Sequence, residues 1–487
     1  MLLAMARLSQ LLGRPRGDAS PGLVLAIVCA GVVLAALDLF IVNVALPQMA
    51  RDFGVRGSGL ADLSWVLNAY GIVYAALLVV FGRLAERYPR ERGFLLGVAV
   101  FVAGSAACGA ATSVAMLVAC RVVQAAGAAL LTPTSLGLIL ATAAPERRQG
   151  AIRTWTAVGG LAAAAGPVVG GLLVAANWRW VFLVNVPIGL VALAIGWRRL
   201  PRVSGHPVPA PDAIGALLVT GGVAALVLAL VNGPRWGWGD SLTIGTLSVC
   251  ALAIAMFALH CTRHRNPLID RALLRLRPFT GASAVLVVFN VAFGAMLLSR
   301  VLWVQDVWHW SAIATGLSIA PGPLMVPPVA FFLAGRLTLR IGPGPATAVG
   351  SALFAIGTAW WAAAMQLRPD YLGDMLGGMV LSGIGVGLVL PTLTATGASL
   401  LPPHAFATGS AVLSLLRQIG LAIGVALLIA ILGTPDSAER TLQVYREASW
   451  AIAALAFAGG IMALRLLAGG RAPAAATAAP ATATADA

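Results

Sequence analysis

The 487-residue chain contains no lysine, and it has little charge of any kind: 10% of its residues are Asp, Glu, Lys or Arg, against 60% hydrophobic. A water-soluble domain carries about a quarter charged residues. The deficit excludes a soluble globular protein and points to a chain that crosses a membrane several times. Arginine supplies every one of the 32 basic charges, which suits a GC-rich coding sequence better than a function. The net charge of +15 raises the question of nucleic acid, but arginine in membrane-flanking loops explains it, and no nucleic-acid partner is expected. Without lysine there is no phosphate-binding G-x-x-x-x-G-K-[ST] loop, so no ATP site of that kind drives the protein. The five cysteines (Cys29, Cys108, Cys120, Cys250 and Cys261) lie in or beside apolar runs with neither metal-ligand nor disulfide spacing. No nucleophile and base are paired in the sequence. The chain reads as a non-enzyme without cofactor or metal.

Long apolar runs are what the sequence has in abundance. A helix needs about 20 apolar residues to cross a bilayer, and fourteen runs qualify: 22–46, 62–81, 93–111, 113–140, 152–175, 179–197, 212–232, 241–259, 279–303, 311–333, 345–365, 372–399, 406–432 and 448–468. Numbering the segments between them alternately, twenty-two arginines fall on the side of the amino-terminus and eight on the other. Positive charge concentrates on the cytoplasmic side of membrane proteins, so both termini are expected in the cytoplasm and the protein in a bacterial cell membrane. Arg7, Arg14 and Arg16 ahead of the first run read as a signal anchor rather than a cleaved signal peptide. The Ala/Thr/Pro-rich end, 469–487, reads as a disordered tail.

A short repeat suggests two halves. "GRLAERYP" (Gly82–Pro89) follows the second run and "GRLTLRIG" (Gly335–Gly342) the tenth. Parallel repeats around a central site are a transporter architecture. The expected organisation is a cytoplasmic segment 1–20, a six-helix half 21–200, two inserted helices 201–260, a cytoplasmic loop 261–278, a second six-helix half 279–468, and the tail.

Two residues stand out against the apolar background. "LAALDLFIVNVALP" (Leu34–Pro47) carries Asp38 deep in the first run, and "RVVQAAGAALLTP" (Arg121–Pro133) carries Arg121 in the fourth. A charge at such depth costs a few kcal/mol or more, and it normally faces the bundle interior or water. Both residues lie about 12 Å from the outer surface at 1.5 Å per residue. Arg121 and Gln124, three apart, share one helix face.

These stretches, in this order along nearly the whole chain, resemble the major facilitator superfamily, in its 14-span drug:proton antiporter branch of EmrB/QacA type. The resemblance implies an all-α polytopic membrane protein of the major facilitator fold, with fourteen helices: two six-helix halves plus two inserted ones. "GRLAERYPRERG" (Gly82–Gly93) is similar to the family's loop motif, implying a cytoplasmic gate at Gly82, Arg83, Glu86, Arg87, Arg90 and Arg92. Here Glu86 stands where Asp is usual and Pro89 where Gly is. The second-half copy has Leu339 at the acidic position, so a latch there is lost or altered. "GGLAAAAGPVVGG" (Gly159–Gly171) resembles the exporter motif of the fifth helix, with Gly159, Gly166, Pro167, Gly170 and Gly171. Small residues let helices approach closely, and Pro167 invites a bend. "NWRWVFLVNVPIG" (Asn177–Gly189) and "SLLRQIGLAIGVALL" (Ser414–Leu428) resemble further signatures of the branch.

The implied function is proton-driven export of small amphipathic or cationic compounds by alternating access. Asp38 would carry the proton, tuned by Arg121 and Gln124, since burial and a nearby guanidinium push a carboxyl's proton affinity in opposite directions. The alternative for Asp38 is a structural carboxylate satisfied at an interhelical contact. Asn43, Arg417 and Gln418 are central-cavity candidates, Arg417 alternatively a helix-packing donor. The partners are a small-molecule substrate, protons and the lipid bilayer; a periplasmic adaptor leaves no mark in the sequence. Rival functions are a dedicated exporter of one endogenous metabolite, lipid or peptide, and a non-transporting membrane sensor. His260 and His264 in "HCTRH" read as a basic loop before a metal site. Trp303, Trp308 and Trp310 read as an interfacial belt, with Asp306 beside them as a vestibule or loop residue.

Overall fold

The computed structural model describes residues 20–54, 59–205, 212–265, 267–269, 271–402, 405–433 and 435–467. The expected segments 1–20 and 469–487 lie outside these but for Ser20, as do residues 206–211 of the expected insert 201–260. The described chain is helical throughout, and its long helices follow the fourteen apolar runs. They are α1 (Pro21–Asp52), α2 (Gly59–Arg87), α3 (Arg90–Gly109), α4 (Val114–Thr142), α5 (Pro145–Ala176) and α6 (Trp180–Arg199). Then come α7 (Ala213–Trp236), α8 (Ser241–Arg263), α9 (Arg277–Val307) and α10 (Ile313–Ile341). The last four are α11 (Pro343–Ala364), α12 (Tyr371–Ala398), α13 (Phe406–Leu432) and α14 (Ala438–Leu466). Thirteen are long and apolar enough to cross a bilayer as they stand. The fourteenth, α5, is bent by 43° between Ala163 and Val168, at the Gly166–Pro167 step where proline removes a backbone donor.

Several helices outrun the hydrophobic run that predicts them. Helix α5 starts at Pro145 rather than near 152, with proline in its first turn where the missing N–H costs nothing. Arg147, Arg148 and Arg153 are therefore helical. Helix α14 starts at Ala438, capped by the Ser437 side chain with Glu439 in its first turn. Hydropathy marks the part of a helix that lipid or protein must bury; it does not mark where the hydrogen-bonded ladder stops.

The packing repeats with a period of eight helices. Helix α1 packs on α4, α5 and α6, α2 on α4, and α3 on α4 and α6. Correspondingly, α9 packs on α12, α13 and α14, α10 on α12, and α11 on α12 and α14. Contacts between these two bundles obey the same pseudo-twofold: α2 meets α13 as α10 meets α5, and α4 meets α13 as α12 meets α5. Helix α7 breaks the symmetry. It lies against both α2 and α13, covering one of the two seams, while α8 packs chiefly on α7 and presents most of its apolar surface outward.

Three arginine and tryptophan readings change. Arg300 is buried in α9 rather than facing an outer loop. It donates to Ser299 and Ser449 Oγ at 2.7 and 2.9 Å and stacks 4.7 Å from the Trp361 ring centroid, with no carboxylate partner among the described residues. Trp303 and Trp308 are protein-buried rather than interfacial: Trp303 packs edge-on against Tyr445, and Trp308 donates to the Gln366 carbonyl at 3.3 Å. Helix α9 continues through a π turn at Trp303–Val307.

Candidate functional site

Five helices meet at Asp38. The aspartate comes from α1, Arg121 and Gln124 from α4, Ser105 from α3, Asn185 from α6, and the Val66 carbonyl from α2. All five side chains are fully buried. The Arg121 guanidinium forms an ion pair with Asp38 Oδ2. Its Nη1 also donates to Gln124 Oε1 at 2.7 Å and its Nε to the Val66 carbonyl at 3.0 Å. The Tyr70 ring lies under it, 4.0 Å from centroid to guanidinium carbon. Gln124 Nε2 donates to Asp38 Oδ1 at 2.8 Å and to Ser105 Oγ at 2.7 Å. Asn185 Nδ2 donates to the same Asp38 oxygen at 3.2 Å.

The sequence makes this convergence physically accessible. A Cβ at Gly104 would lie 2.8 Å from the Gln124 Cα, so only glycine lets α3 come close enough for Ser105 to reach the glutamine. One helical turn on, a Cβ at Gly127 would lie 2.5 Å from the Phe101 nitrogen. Asn185 opens the longer piece of α6, just after the short turn Trp180–Leu183. Chemically, the site is a carboxylate with a fixed guanidinium counter-charge and two amide donors. Arg121 Nη2 and Asn185 Oδ1 remain without partners among the described residues.

A second cluster lies at the arginine-rich end of the bundle. Arg83 Nη1 donates to Glu86 Oε2 at 3.0 Å, and the other Glu86 oxygen accepts the backbone N–H of Thr408 at 2.8 Å. Thr408 stands in the first turn of α13, where amide groups have no intrahelical partner and the helix dipole favours an anion. Glu86 thus caps a helix of the opposite bundle. A Cβ at Gly82 would lie 2.5 Å from Ala411 Cβ and 3.0 Å from the Ala407 carbonyl, so glycine permits this approach. Arg90 and Arg148 both face the Phe406 ring, at 5.9 and 5.2 Å. Arg87 and Arg92 lie at the same end, partly buried. On the symmetry-related seam Leu339 is exposed, and the Arg153 guanidinium instead lies against Gly335.

The glycines of α5 face two ways. Cβ atoms at Gly159 and Gly170 would meet Val32 and Ile41 of α1 at 3.0 and 2.9 Å. At Gly160 and Gly171 they would meet Val326 and Ile313 of α10, in the other bundle, at 3.2 and 2.7 Å. Gly166 is buried at the bend. The side chains of Asn43 and Pro167 lie outside the described part of the structure. Arg417 and Gln418 are partly buried on α13; Arg417 Nε has no partner among the described residues, and neither residue joins the Asp38 network.

Sequence reasoning missed Asn185, Ser105 and Tyr70. Asn185 carried a usable signal, since an amide deep in an apolar run needs a partner. Ser105 and Tyr70 carried none, because a hydroxyl in a membrane helix can return its hydrogen bond to its own backbone.

The fold and this buried charged site define a polytopic helical membrane transporter with two pseudo-symmetric bundles. The model of the Major Facilitator Superfamily matches residues 28–425, and the chain belongs to that superfamily. Among curated relatives, the tetracenomycin C resistance and export protein of Streptomyces glaucescens is 33% identical over 406 residues, covering 82% of this chain and 74% of the relative. Multidrug resistance protein Stp of Mycobacterium tuberculosis is 34% identical over 421 residues (86% and 76%). The methylenomycin A resistance protein of Streptomyces coelicolor is 30% identical over 470 residues (93% and 94%). Among solved structures, the human organic anion transporter MFSD10 aligns with a TM-score of 0.63 at 15% identity, over 90% of this chain and 98% of that one. The POT family transporter PepTSo aligns at 0.61 and 17% identity, over 91% and 97%. The structural likenesses bear on fold alone.

Proposed function

We propose that the protein exports small amphipathic or cationic organic compounds across the bacterial cell membrane in exchange for protons, with both termini in the cytoplasm. The halves are 21–200 and 279–468, with 201–260 as the insert. The observation that carries the reading is the buried Asp38–Arg121–Gln124–Asn185 network. Protonation of Asp38 cancels its charge and leaves Arg121 an uncompensated buried cation. Removing one partner of a buried pair costs about 3–5 kcal/mol, enough to drive a two-state rearrangement. Water reaching the site from alternate sides would then load and release the proton as the bundles rock. The Glu86 cap on α13 ties the bundles together at the end this reading makes cytoplasmic.

Drug-dependent proton movement in everted membrane vesicles tests this. Wild type should exchange protons when cationic drugs are added, and Asp38→Asn should not. Normal exchange by the mutant would return Asp38 to a structural role. The relatives' names favour a second reading, export of one endogenous metabolite: one of them is named for resistance to and export of a single compound, tetracenomycin C. Proton movement with a single endogenous metabolite and none with a drug panel selects that reading.

A further inference from the structure

Away from the transport site, the two ends of the inserted helix pair meet in an unexplained polar cluster. Asp212 is the N-cap of α7, and its Oδ1 accepts the Gly215 N–H at 3.0 Å. Its other oxygen, Oδ2, lies 2.7 Å from His260 Nε2 in the last turn of α8. His264, one turn on, stacks against His260 with ring centroids 5.0 Å apart. One ligand atom from each of the three residues lies within 4.8 Å of the others. Asp212 is buried, His260 half-buried and His264 exposed.

The 2.7 Å approach is not a well-directed hydrogen bond: Asp212 Oδ2 and His260 Nε2 are both buried, and neither has an aligned partner among the described residues. The carboxylate oxygen sits off the axis of the imidazole nitrogen. Two ligands sharing one ion are arranged in this way. With bonds of about 2.1 Å, atoms 2.7 Å apart subtend about 80° at the ion, close to the right angle of neighbouring ligands on one face of an octahedral site. The opening needed for a tetrahedral ion is under about 1 Å. His264, at the end of the helix and exposed, closes the set by rotating its ring. Two imidazoles and one carboxylate suit divalent transition metals rather than calcium or magnesium, which prefer oxygen. Gly215 makes room for the carboxylate, since a Cβ there would collide with Asp212.

We propose that Asp212, His260 and His264 bind one divalent transition-metal ion and clamp the ends of α7 and α8 together. The clamp is separate from the proton-exchange reading and does not depend on it. It would hold the insert that covers the α2–α13 seam.

The test uses the full chain, purified in detergent with a non-histidine tag and stripped with a chelator. Micromolar Co2+ is added, its ligand-field absorption recorded, and Zn2+ used to compete it away. One Co2+ per chain is expected, displaced by Zn2+, with a rise in unfolding temperature. His260→Gln and His264→Gln should each weaken binding at least tenfold. Asp212→Asn should do the same while keeping the helix cap, because asparagine caps as well as aspartate. Binding that is absent, or unchanged in all three variants, overturns the proposal and leaves Asp212 and His260 as an ion pair.

Discussion

The Glu86 carboxylate accepts the Thr408 N–H at 2.8 Å across a sequence separation of 322 residues. This contact ties the two bundles together at one end, and its carboxylate does so by completing the first turn of a helix it does not belong to. Arg83 holds the same carboxylate from below. The relationship makes one carboxylate a tie between the bundles, beside the Gly82–Ala411 approach.

Replacing Glu86 with alanine should therefore loosen the closed state. A helix cap contributes about 1 kcal/mol, and a charged acceptor at a helix N-terminus adds to that. The expected outcome is a roughly fivefold shift toward conformers open at this end. The labelling rate of a cysteine at Thr408, buried in this contact, checks it once the five native cysteines are replaced by alanine. Glu86→Asp, one methylene shorter, should shift the rates less than Glu86→Ala.

Asn185 should matter for transport without being essential to folding. It donates one hydrogen bond to Asp38 Oδ1, which Gln124 also serves. Losing a hydrogen bond to a charged group costs about 1.5–3 kcal/mol. Asn185→Ala should cut drug-dependent proton exchange by at least about tenfold at unchanged membrane abundance. Asn185→Asp should be the more severe variant, since it sets two carboxylates against the one guanidinium. Equal, wild-type rates in both would remove Asn185 from the site.

Adjacent glycines of α5 should fail differently. A valine at Gly170 meets the Ile41 backbone carbonyl within its own bundle, and backbone cannot move aside cheaply. Overpacking of this kind costs about 1–3 kcal/mol, so Gly170→Val should lower thermal stability in detergent. A valine at Gly171 meets the Ile313 side chain at Cγ1 in the opposite bundle, with no backbone atom against it, and a half-exposed side chain yields more readily than backbone. Gly171→Val should keep stability and slow transport, because that seam must slide.

Asp38 is the one carboxylate in the α1–α4 site, paired with one guanidinium. Monovalent cationic substrates should therefore be exchanged faster than divalent ones of similar size. Competition between a mono- and a bis-quaternary ammonium compound in vesicles measures this, with equal rates counting against a charge-balanced mechanism.

Much of this was legible in the residues. Helix number and order follow from hydropathy because the bilayer core sets a length that apolar runs must match. Depth and helix face made a meeting of Asp38, Arg121 and Gln124 possible, because a buried charge has few places to go; the contact itself came from the structure. The Gly-Pro bend in α5 followed from covalent chemistry.

The tertiary structure decided the rest. No periodicity in α6 says that Asn185 turns toward Asp38, or that Arg300 is buried against serines and tryptophan instead of facing an outer loop. Nothing in "HCTRH" brings Asp212 beside His260, and nothing in "GRLAERYP" names Thr408 as its partner. Sequence alone fixes what each helix must hide from lipid. Which polar groups meet inside depends on how closely the helices approach, and glycines at Gly82, Gly104 and Gly127 set that approach only once their partners are in place.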